Sequence, residues 1–170
     1  MKAWLAIFMI IFIWSAPISA RVNDPVNYCA QTTHLESPGA IICHREGLSD
    51  VEITNAFAII RKAIRLYPQF ANAQSLNPGV VRAPIVIVIL DKWEMNNPEL
   101  FSGYDINGSL ASARFLPNEK IICLIKESLS LTDPNLPHEL AHLLNSESGI
   151  KNKARDETLA YSFEHFYFSR

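Results

Sequence analysis

The stretch Asp133-Pro134-Asn135-Leu136-Pro137-His138-Glu139-Leu140-Ala141-His142 decides how the rest of the chain is read. Asn135 is a capping residue and Pro137 suits a first helical turn, so a helix is predicted to start just before His138. Gly149 should end it. At about 3.6 residues per turn, His138 and His142 lie one above the other on one face, where two imidazoles converge on a single ion. Glu139 sits beside them. A carboxylate there is badly placed to ligate the same ion, yet it reaches a water bound to that ion and can take its proton. Zinc suits the pair, because imidazole ligates it well and a water bound to it ionises near about pH 7.

Two histidines leave the ion short of a third protein ligand. The last predicted helix, from about Arg155 to Phe168, offers Glu157 and Glu164, two turns apart on one face. They are about 10 Å apart along the axis, so only one can ligate. Glu157 is preferred, since Ala160 follows it and a small residue permits close approach of the two helices. Glu164 is the alternative, with His165 behind both. Apolar residues surround most of this helix, which is therefore expected to be largely buried.

His138-Glu139-x-x-His142 followed by Glu157-x-x-Ala160-Tyr161 resembles the zincin metallopeptidases, and within them the gluzincin branch. Glu157-x-x-Ala160-x-x-Phe163 is also similar to the pattern of the ImmA/IrrE-like peptidases, which are commonly cytosolic. The resemblance implies zinc on His138, His142 and a glutamate of the downstream helix, with Glu139 as the general base. It covers about residues 136–168, and the preceding elements match the zincin order only coarsely. The metzincin branch is excluded, because Asn145 and Ser148 stand where it carries glycine and histidine. Thermolysin-like gluzincins place an aspartate four residues after the third ligand, where this chain has Tyr161. Tyr161 is either a donor toward the developing oxyanion or a buried core tyrosine.

Upstream of the motif, Ile53, Phe57, Ile60, Ile64 and Tyr67 recur on one helical face, capped by Ser49 or Asp50 and ended by Pro68. Ile85 to Leu90 is a continuous apolar run of β-formers, as expected of a strand covered on both faces. Trp93 to Gly108 is turn-rich and should be an irregular excursion. Ser109 to Leu116 and Lys120 to Ile125 form a hairpin about Pro117-Asn118-Glu119. The more hydrophobic second run belongs inside the sheet, and the first belongs on its edge, where an extended peptide could pair.

The N-terminus has the three-part layout of a secretory signal: Lys2, the apolar run Ala3 to Trp14, and Ser15 to Ala20. Cleavage after Ala20 leaves an exported chain, periplasmic or secreted. The alternative is an uncleaved anchor that tethers it to a membrane, although the run is shorter than the roughly 20 residues of a span. About 150 residues then remain, enough for one domain with one core. A net charge of -2 without a basic face argues against a nucleic-acid partner. Export permits disulfides, and Cys29 with Cys43 would staple the N-terminal arm while Cys123 stays a buried thiol; three unpaired thiols are the alternative.

The expectation is thus an α+β, minimal zincin-like domain over 48–170, after a signal over 1–20 and an arm over 21–47. It has a backing helix, a small mixed sheet with an edge strand, an active-site helix and a C-terminal helix. The expected activity is hydrolysis of a peptide or protein substrate lying along the edge strand, with Zn2+ as cofactor. Two alternatives stay open, a non-catalytic binding domain for a peptide or envelope partner and a metal-dependent amidase on a non-peptide substrate. Oligomeric state is not legible.

Overall fold

The computed structural model of the chain describes residues 33–37, 39–44, 47–81, 84–97, 101 and 111–170. The leader, Cys29, positions 98–100 and 102–108 of the excursion, and positions 109–110 of the expected edge strand lie outside the described residues. The fold is α+β. Among the described residues its mixed sheet has five strands in the order β1-β2-β3-β5-β4. These are β1 (Thr33–Ser37), β2 (Ala40–His44), β3 (Ile85–Leu90), β4 (Ala113–Leu116) and β5 (Ile121–Ile125). The inner pairs β2/β3 and β3/β5 are parallel, and the outer pairs β1/β2 and β5/β4 are antiparallel. As expected, the apolar run Ile121–Ile125 is internal and β4 is an edge among the described residues.

Successive side chains of a strand point to opposite faces, and the inner strands bury both sets. Ile42, Ile87, Ile89, Ile122 and Leu124 face the main core, while Cys43, Val88, Leu90, Cys123 and Ile125 face a second cluster with Met95 and Phe101. The long helix α1 (Asp50–Ala73), the helix α3 (Asn135–Glu147) that carries His138 and His142, and the C-terminal helix α4 (Lys153–Phe168) contribute to the main core. A short helix α2 (Lys92–Met95) follows β3 within the expected excursion.

Several local expectations need correction. Residues 33–44, assigned to an arm, supply two strands, because Ala40, Ile42 and Cys43 are buried and β2 pairs with the central strand β3. Cys43 is disulfide-bonded and Cys123 is free and buried; Cys29, the expected partner of Cys43, lies outside the described residues. Pro68 does not end α1, which runs on to Ala73. A proline inside a helix costs about 3 kcal/mol. The last turns offset it by burying Phe70 and Ala71, with the Phe70 ring 5.3 Å from Phe163 and 6.0 Å from Tyr67; one buried phenylalanine stabilises by about 1.5–3 kcal/mol before its ring contacts are counted. Ser49 caps this helix with a full capping box to Glu52.

Helix α3 begins at Asn135 itself, after the cap position Pro134, and no side chain caps it; the backbone N–H of Asn135 donates to Asp133 Oδ1 at 2.9 Å in the turn that enters the helix. Its C-terminus is as expected. Gly149 has φ +80, Ile150 N–H donates to Asn145 O, and Gly149 N–H donates to Ser146 O, the two bonds of a Schellman end. Helix α4 is less buried than its composition suggests: Leu159, Ala160, Phe163 and Tyr167 are buried, while Tyr161 and Phe168 are 54% and 43% exposed. Its remaining face carries the carboxylates that meet α3.

Candidate metal centre

Helices α3 and α4 pack antiparallel, so the C-terminal histidine of α3 meets the start of α4 and the N-terminal histidine meets its middle. Ala160 is fully buried in the main core. The row Asp156, Ala160, Glu164 repeats every four residues and therefore runs along one side of α4. Its two carboxylates flank the small residue, one turn to either side.

His138 Nε2 and His142 Nε2 are 3.2 Å apart, and the Glu157 carboxylate lies 3.6 Å from the first and 3.5 Å from the second. The outer nitrogens are already engaged. His142 Nδ1 pairs with Asp156 Oδ2 at 2.7 Å and His138 Nδ1 with Glu164 Oε2 at 3.3 Å. A carboxylate on Nδ1 holds the proton there and turns the Nε2 lone pair inward. Two lone pairs and an anionic oxygen then point at one another, an arrangement that repels itself unless a cation or a proton lies between them.

A tetrahedral ion with bonds of about 2.0–2.1 Å needs its ligand atoms about 3.3 Å apart. The two imidazole nitrogens are close to that spacing at 3.2 Å, the carboxylate approaches them through different oxygens, Oε1 at 3.6 Å from His138 and Oε2 at 3.5 Å from His142, and one ligand atom from each of the three residues lies within 4.8 Å of the other two. The residues therefore fit a divalent metal ion held by two imidazoles and one carboxylate. Such a donor set by itself does not select zinc from neighbouring transition ions. Glu164, the alternative third ligand, is placed instead on the far nitrogen of His138. It braces that ring and faces away from the point where the other three groups converge.

Glu139 lies under the edge strand, where its carboxylate accepts a hydrogen bond from the backbone N–H of Phe115. Burial pushes this carboxyl up to about 7, against the pull of nearby His142 and Arg114. Burial also lowers the pKa of His138, with the neighbouring His142 ring acting in the same direction. For His142 burial opposes the charged form, but the Asp156 hydrogen bond and the surrounding carboxylates outweigh it and the pKa rises. Tyr161 is not the core residue that was one of its two expected roles. Its exposed ring stands against His138 at 4.6 Å between centroids, at the rim of the site.

A cleft of about 730 Å³ opens beside these groups. Edge strand β4 and its turn form one wall, through Arg114, Phe115, Leu116, Pro117 and Asn118; Glu139, His142 and Glu157 lie within it. The Phe115 ring lies parallel to His142, 6.5 Å between centroids. Comparison with family models, with curated proteins and with solved structures finds no match for this chain. The chemistry of the site thus rests on its own geometry.

Sequence reasoning missed Asp156, Arg114 and Phe115. Asp156 had a legible signal, since it shares a helical row with Ala160 and Glu164. Arg114 and Phe115 had none, because their approach to Glu139 depends on how β4 packs across α3.

Proposed function

We propose that this protein is an exported zinc-dependent metallopeptidase. One observation carries the proposal: His138 Nε2, His142 Nε2 and the Glu157 carboxylate converge beside Glu139, under the edge strand β4. A zinc ion held by these three residues supplies a Lewis acid for the scissile carbonyl and an activated water. Asp156 and Glu164 keep the imidazoles oriented for that ion through their Nδ1 protons.

The substrate chain lies extended along the edge strand β4 and pairs with it as an added strand. Glu139 takes the proton of the attacking water as the new C–O bond forms. It delivers a proton to the peptide nitrogen as the C–N bond breaks, so the amine leaves neutral. The Phe115 N–H holds the Glu139 carboxylate by the substrate's strand. Tyr161, exposed beside His138, serves as a hydrogen-bond donor toward the oxyanion. Export is supported by the leader pattern and by the disulfide at Cys43, a bond that persists in oxidising compartments.

The test is cleavage of a mixture of unstructured peptides by zinc-loaded protein, read by mass spectrometry, beside Glu139→Gln. Hydrolysis by the wild type, reduced about 100-fold or more in the variant, is the expected result. Equal cleavage by both proteins would remove Glu139 from the mechanism, and no cleavage of any peptide by zinc-loaded wild type would remove the peptidase reading.

A further inference from the structure

Behind the metal centre the side chain of Asn145 is completely buried, three residues past His142 on α3. Both ends of its amide are committed. The oxygen accepts from the Tyr67 hydroxyl at 2.7 Å, and the nitrogen donates to Asp156 Oδ1 at 2.8 Å and to the Asp156 carbonyl at 3.3 Å. Asp156 thus divides its carboxylate, with Oδ1 on Asn145 and Oδ2 on His142 Nδ1. The Tyr67 hydroxyl also lies 3.2 Å from Ser148 Oγ, which accepts from Gly79 N–H and donates to Leu144 O. The chain of bonds therefore runs from α1, through α3, to α4 and the ligand ring.

An apolar residue of similar volume would fill this position without needing partners, and burying an amide is favourable only when each polar atom is paired. Here every link is short and the chain ends on a proposed metal ligand. A carboxylate that binds an imidazole through one oxygen is otherwise free to turn about its Cβ–Cγ bond, which would swing the ring out of line.

We propose that Asn145, braced by Tyr67, is a positioning residue for the metal centre: it fixes the Asp156 carboxylate and, through it, the orientation and tautomer of His142. The inference rests on the metal-centre reading above. In consequence the precision of the site is set partly by the packing of α1 against α3, at a distance from any reacting atom.

A double-mutant cycle on cobalt affinity tests this, titrating the metal into metal-free protein and reading the visible ligand-field absorption of the bound ion. Asn145→Ala should weaken cobalt binding about tenfold and alter the absorption bands. Made on top of Asp156→Ala, the same substitution should change affinity by less than about twofold, since no carboxylate remains to be held. A purely structural asparagine would give the same loss in both backgrounds. That result, or no loss in either, overturns the inference while leaving the metal centre standing. Wild-type protein that binds no cobalt overturns the metal centre itself, a distinct outcome seen before any variant is made. Tyr67→Phe, which removes a single hydroxyl, is carried through the same cycle and keeps the test decisive should Asn145→Ala fail to fold.

Discussion

Asp156 and Glu157 are neighbours in sequence yet face opposite nitrogens of one ring: Asp156 Oδ2 lies 2.7 Å from His142 Nδ1, and Glu157 Oε2 lies 3.5 Å from His142 Nε2. Consecutive residues of a helix project about 100° apart, enough for two carboxylates at the start of α4 to straddle the edge of an imidazole presented by α3. One dipeptide would thereby supply both a ligand to the proposed metal and the brace of another.

The two carboxylates should therefore fail differently. Asp156→Asn is expected to keep a metal ion but bind it about 10–100-fold more weakly, the usual cost of losing a partner on a ligating histidine. Glu157→Gln, which removes the anionic ligand, should weaken binding more than Asp156→Asn does. Competition with a chromophoric chelator ranks the two, and the reverse order would reassign the third ligand.

Glu164 gives a separate prediction, because it sits on His138 Nδ1 at 3.3 Å and not at the convergence point. Glu164→Gln should retain the metal with a modest loss of affinity. X-ray absorption of the variant should show an unchanged first coordination shell. Loss of an oxygen ligand from that shell would mean that Glu164, and not Glu157, completes the site.

Metal should also act on stability. Without an ion, the carboxylates of Glu139, Asp156, Glu157 and Glu164 crowd around two imidazoles; a cation bound there would relieve that repulsion and favour the folded chain. At a free metal concentration about 100 times Kd the gain is about 2.7 kcal/mol. Thermal unfolding should shift upward with added zinc and fall back with chelator. An unchanged Tm at saturating zinc contradicts the account.

Much of this architecture was legible in sequence because it follows short-range periodicity. The apolar run Ile85–Leu90, the capping signal at Ser49, Gly149 and the spacing of His138 and His142 are each decided within a few residues. The misjudged features depend on distant partners. Pro68 stays helical because Phe70 finds Phe163 about ninety residues on, and residues 40–44 become a strand because β3 lies beside them. Asp156 was passed over for a related reason. The resemblance looked for a bracing aspartate after the third ligand, whereas the antiparallel packing of α4 on α3 puts one before it.

Gly79 marks a contact that the sequence did not announce. A Cβ built there would lie 2.2 Å from the backbone carbon and oxygen of Glu147, at the C-terminal turn of α3. Gly79→Ala should destabilise the fold by about 1–3 kcal/mol, the usual range for overpacking a tight contact. Denaturant unfolding measures this, and a neutral result would show that the segment after α1 gives way without cost.

Cys123 is buried in β5, and burial pushes its thiol pKa far above the ordinary value. A thiol held neutral is a poor nucleophile. It should resist alkylation in the native protein and react once the chain is unfolded in denaturant, with mass spectrometry locating the adduct. Rapid native-state labelling would contradict its placement in the sheet.

The central claim is that His138, His142 and Glu157 form a metal centre, and elemental analysis tests it most directly. Wild-type protein equilibrated with zinc and then dialysed should retain roughly one zinc per chain, as expected of a site with three protein ligands, and His138→Ala/His142→Ala should retain almost none. Zinc content in the wild type no higher than in that double variant would contradict the account.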